Sequence, residues 1–157
     1  VGLSDAGPVA IRYPRGAARV VAEHDVGSGL AARRVVEGER VCVLAVGKLV
    51  EAALKAAGRF PDGTVEVWDV RACVPLDPDM LAAAARFPAV ITAEDGIRDG
   101  GIGMAIADAL PETRVDVLGL PTRFLPHGDA KQILASAGLD TDGLERTITA
   151  ALTRDLP

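Results

Sequence analysis

Aromatic side chains are scarce in this 157-residue sequence: one Trp, one Tyr and three Phe, 3% of the whole. That scarcity argues against a ligand-stacking surface. It leaves a core of Ala, Val, Leu and Ile, which suits close packing of helices on a sheet. Cysteine and histidine are equally sparse, with two of each. Cys42 and Cys73 lie in apolar stretches without partners at metal-ligand spacing, and His24 and His127 are far apart. The thiols therefore read as buried and free, in a reducing compartment. No apolar run approaches the ~18–20 residues of a membrane span. No signal peptide is recognisable, so a cytoplasmic location is expected. Lysine occurs only at Lys48, Lys55 and Lys131, the net charge is −5, and no basic stripe is visible. Neither nucleic acid nor membrane is an expected partner.

What is present is a repeated alternation. "RVCVLAVG" (40–47) is a continuous apolar run ending in glycine, and "KLVEAALKAAG" follows with Leu49, Ala52, Ala53 and Ala56 at helical spacing, stopped by Gly58. "TVEVWDV" (64–70) predicts a strand. "PLDPDMLAAAARF" (75–87) predicts a helix with Asp77 as N-cap and Pro78 at its first position. "AVITAED" (89–95), "GGIGMAIADAL" (100–110) and "RVDVLGL" (114–120) predict a strand, a helix and a strand. Two helices close the pattern, the first capped by Asp129 and ended by Gly138, the second capped by Asp140 or Thr141. Val36 to Arg40 reads as a turn between two extended runs, which adds an antiparallel edge strand before the parallel set. The predicted fold is α/β: a three-layer sandwich with a mostly parallel sheet and one antiparallel edge strand. Residues 19–28 read as a linker.

The motifs with chemical content are few. Gly100 to Gly103 open a helix after a strand, the layout of a phosphate cradle. The dinucleotide fingerprint would need glycine at position 106, where Ile106 stands, and no GK[ST] triplet is present. A tight strand-to-helix connection is the favoured reading. Glu94 and Asp95 sit where open α/β sheets place functional groups, as a base, a metal ligand or an interface anchor. With no neighbouring histidine or third acid, a structural or interface role is favoured. His127 reads as a loop or cap residue. In "AIRYPRG", Arg15 follows a proline at a strand end, where its guanidinium can reach a phosphate or form an interdomain ion pair.

The order of "GPVAIRYPRG", "DVRACVPLD" (69–77), "VITAEDGIRDGGIG" (90–103) and "LGLPTRFLPHG" (118–128) resembles the C-terminal domain of the 1-deoxy-D-xylulose-5-phosphate synthases, which are transketolase-type enzymes. "DVRACVPLD" and the acidic glycine-rich loop are also similar to the beta subunits of 2-oxoacid dehydrogenases. One departure stands out: Glu94-Asp95-Gly96 replaces the two glutamates and asparagine common in the family. The resemblance implies that residues 1–25 are the tail of a preceding pyrimidine-binding domain plus linker, and that 26–157 are the transketolase C-terminal-like domain. It also implies a parent enzyme that condenses pyruvate with glyceraldehyde 3-phosphate, with loss of CO2, for isoprenoid, thiamine and pyridoxal phosphate synthesis. Thiamine diphosphate and Mg2+ would be bound by other domains, leaving no catalytic, cofactor-binding or metal-binding residue in this chain. Arg15 would grip the substrate phosphate. The implied partners are the preceding domains of the same polypeptide and a second copy in a homodimer. The alternatives are the corresponding domain of a 2-oxoacid dehydrogenase beta subunit and a free-standing phosphate- or nucleotide-binding module.

Overall fold

The computed structural model describes residues 29–154, together with Pro8, Ala10, Ala22, Glu23 and Val26. Arg15, the tail motif that contains it and most of the expected linker lie outside the described residues.

Ten elements follow one another: β1 (Arg33–Val36), β2 (Gly38–Ala45), α1 (Leu49–Ala57), β3 (Gly63–Asp69), α2 (Pro78–Ala84), β4 (Ala89–Ile97), α3 (Ile102–Ala109), β5 (Arg114–Leu120), α4 (Ala130–Ser136) and α5 (Thr141–Arg154). The five strands form one sheet in the order β1-β3-β2-β4-β5. All pairs are parallel except β1 with β3. The continuous apolar runs are explained by burial on both faces. Val41, Val43 and Ala45 of β2 join Ala89, Ile91 and Ala93 of β4 in the core beneath α1 and α5. Cys42 and Leu44 join Val90 in the opposite core, beneath α2 and α3. Period-2 alternation thus feeds two cores at once.

The antiparallel edge strand is present, but it does not form a hairpin with β2. Both edges of β2 are taken by parallel partners, so the preceding strand pairs with β3 instead. Gly38 makes the crossing possible, because a Cβ there would run into the backbone of Val65 and Glu66. Asp77 caps α2 by accepting from the Asp79 and Met80 amides, at 2.8 and 3.2 Å. Asp140, not Thr141, receives the Gly143 amide at 2.8 Å. Gly138, at φ +72°, ends α4 as its sequence position predicts. Among the described residues no helix is long and apolar enough to cross a membrane.

Candidate functional site

Three of the four sequence motifs converge on the carboxyl ends of the parallel strands, where sheets of this class place their functional groups. After β3, Arg71 adopts φ +56°, rare for a side chain other than glycine. Its guanidinium donates to the carbonyls of Ala31 at 2.5 Å and Gly29 at 3.4 Å. Four residues past Cys73, the Asp77 carboxylate accepts the Ala32 amide at 2.6 Å. That bond, with those from Met80 and Asp79, holds the Asp77 carboxyl below the usual range. The "DVRACVPLD" motif therefore grips the segment that leads into β1. The spacing of the motif flagged Asp77 as a helix cap. It gave no signal for the second role, because Ala32 lies 45 residues away.

At the end of β4 the two acids part, as alternation along a strand requires. Glu94 is buried and accepts the Gly103 amide at 3.0 Å. Asp95 is exposed and pairs with Lys48 at 2.7 Å. They form no carboxylate dyad. The N-cap residue of α3, Gly101, has no side chain to offer, and the Glu94 carboxylate supplies the anion favoured at a helix N-terminus. Two further amides of the glycine loop also point to protein acceptors: Gly100 to Met104 Sδ at 3.3 Å and Gly101 to the Arg98 carbonyl at 3.1 Å. The Glu94 carboxylate thus occupies the amino end of α3, and only four residues separate β4 from that helix. Cys73 is partly buried nearby, its thiol pushed up by burial and by the Glu94 charge. Cys42 is fully buried, and burial and the Glu66 charge push its thiol up as well. Neither is an activated nucleophile.

Beyond β5, residues 121–125 fold back toward β4. The Arg98 amide donates to the Leu120 carbonyl at 2.8 Å. The Thr122 hydroxyl donates to Asp99 at 2.9 Å, and with Arg98 it holds the Asp99 carboxyl below the usual range. Ile97, Leu120, Pro121, Phe124 and Leu125 line an open apolar groove of about 490 Å³. His127 is exposed in the loop before α4, two residues ahead of Asp129, which caps that helix through the Lys131 amide at 2.6 Å. Among the described residues no three His, Cys, Asp or Glu side chains gather as a metal ion would need.

The family described as "Transketolase, C-terminal domain" matches residues 30–144, nearly the whole of the described fold. The chain belongs to that family. Transketolase C-terminal domains of known structure share its architecture. A split-gene transketolase, described as an inactive beta4 tetramer, superposes with a TM-score of 0.77 at 26% identity, over 88% of this chain and 47% of that one. A transketolase variant from Pichia stipitis, at 12% identity and a TM-score of 0.55, is alike in fold alone. Among curated proteins, the 1-deoxy-D-xylulose-5-phosphate synthase of Bordetella parapertussis is 43% identical over 92% of this chain. That of Thiobacillus denitrificans is 40% identical over 93%. The chain spans 24% of the length of each of these two relatives.

Proposed function

We propose that this transketolase C-terminal domain belongs to a 1-deoxy-D-xylulose-5-phosphate synthase, joining pyruvate to glyceraldehyde 3-phosphate with loss of CO2. Its own role there is structural. The observation that carries this reading is the identity of about two residues in five to synthases over more than nine-tenths of the chain. That similarity extends beyond residues 30–144, as expected if residues 1–25 are the tail of a preceding domain.

Thiamine diphosphate supplies the carbanion chemistry in such enzymes. The described residues do not fit a diphosphate with its magnesium ion: the helix N-terminus nearest the glycine loop is filled by Glu94, and no ligating cluster is present among them. In the proposed enzyme, cofactor and metal belong to the rest of the polypeptide, in a cytoplasmic homodimer. Within this chain, Arg15 is the residue assigned to the substrate: its guanidinium is suited to a phosphate by paired hydrogen bonds. Binding the unreactive end of glyceraldehyde 3-phosphate would position its aldehyde without moving a proton. The test is the full-length enzyme carrying Arg15→Ala. The expected outcome is a rise in KM for glyceraldehyde 3-phosphate with KM for pyruvate unchanged; unchanged values for both would remove Arg15 from the site.

A further inference from the structure

We propose that the groove between α1 and α4 is a docking site for an acidic amphipathic helix of another protein. All three lysines of the sequence, Lys48, Lys55 and Lys131, line this one groove, although the chain as a whole carries a net charge of −5. Lys48 and Lys55 stand on the α1 wall, about two helical turns apart on the same face. Lys131 stands on the α4 wall, in the first turn of that helix. Between the walls the surface is apolar. Leu49 and Leu139 close the floor, with half-buried Ala52 and Leu134 and exposed Ala135 above them. The space is about 560 Å³. α4 buries no residue completely, so its apolar side chains remain partly open to a partner. A trough between two helices accepts the side-chain ridges of a third, and an apolar floor under a charged rim suits an amphipathic one.

The charges select the occupant. Both acids on the lining are engaged, Glu51 with Lys55 at 2.6 Å and Asp140 with the Gly143 amide at 2.8 Å. Lys48 pairs with Asp95 at 2.7 Å. These ion pairs are exposed and contribute little, and each ammonium keeps further donors. Among the described residues no acidic side chain pairs with Lys131. A partner rich in carboxylates would therefore meet ammonium groups on both walls, one of them uncommitted. A second copy is a poor occupant. Across a two-fold axis the same patch meets itself, which would set lysine against lysine.

The inference does not depend on the synthase reading, and synthase activity is not its readout. The full-length protein is titrated into a fluorescein-labelled synthetic helix of about fifteen residues, with leucine along one face and glutamate along the other. Anisotropy should report binding that weakens as salt is raised. A matching helix with lysine in place of glutamate should not bind. Lys131→Glu and Ala135→Glu change exposed positions of α4, where glutamate is a good helix former, and each should weaken binding about tenfold. Arg86→Glu makes the same charge change as Lys131→Glu but lines a different cleft, and should leave binding unaltered. Carbodiimide crosslinking should join the glutamates of the synthetic helix to Lys48, Lys55 or Lys131. The proposal is overturned if the glutamate helix does not bind, if the lysine helix binds equally, or if Arg86→Glu loses as much as Lys131→Glu. Crosslinks only to lysines outside this chain would overturn it as well. So would dissociation of the full-length protein into smaller species by Lys131→Glu, which would give the groove to a second copy.

Discussion

Asp77 accepts three backbone amides from two places, capping α2 and holding the segment before β1. Its carboxyl is held below the usual range in the folded protein, chiefly by the Ala32 amide. The unfolded chain has the ordinary value of about 3.9. The resulting stabilisation is complete above that value and is lost as pH falls through the lower, folded one. Asp77→Ala removes the cap and the Ala32 bond together, and should cost about 1–2 kcal/mol at neutral pH. Asp77→Asn keeps an acceptor oxygen. It should retain most of the neutral-pH stability and lose part of the acid dependence. Urea unfolding of the three proteins at neutral and acidic pH checks both expectations; an Ala variant as stable as the parent would mean that these bonds contribute nothing net. Asp77 was half legible as a residue. Its capping role follows from the Asp-Pro pair, a local signal, whereas its hold on Ala32 depends on β1 lying beside β3.

At the scale of elements, α3 packs against the sheet through Gly103. A Cβ at Gly103 would collide with the Thr92 side chain and with Val117 Cγ1, on the two strands beneath the helix. Gly103 packs in this way while its amide donates to Glu94. Gly103→Ala would force the helix away from β4 and β5 and weaken that bond. Overpacking of this kind costs about 1–3 kcal/mol, despite alanine's better helix propensity. The expected observation is a lower urea midpoint with an unchanged slope; a higher midpoint would show that the contact relaxes freely. The strand and helix succession was legible because each run carries its own period and punctuation. The pairing of β1 was not. A turn of Glu and Gly residues suggests a hairpin, but the neighbour of a strand is decided by which sheet edge remains open.

For the whole molecule, the proposed role of this chain is structural, with the open apolar groove of Ile97, Leu120, Pro121, Phe124 and Leu125 at the carboxyl end of its sheet. The isolated 157-residue chain should therefore show no synthase turnover with thiamine diphosphate, magnesium and both substrates supplied. Assay of product formation beside the full-length enzyme checks this, and turnover by the chain alone would overturn the structural role proposed for it. The low aromatic content fits the same picture. Phe124 is one of only three phenylalanines, and it is spent on full exposure at the end of the sheet.

The sequence by itself determined the α/β class, the two-faced burial of β2 and β4, the caps at Asp77 and Asp129, and the family. These rest on local periodicity, on residues adjacent in the chain and on the order of motifs. Only the tertiary structure decided that Glu94 turns inward to the helix while Asp95 turns out to Lys48. It alone decided that β1 skips β2, and that Val74, Ile97 and Phe124 share one end of the sheet. The physical reason is common to all three. Each depends on groups far apart in sequence and on which strand edge, helix end or surface is left without a partner once the core has closed.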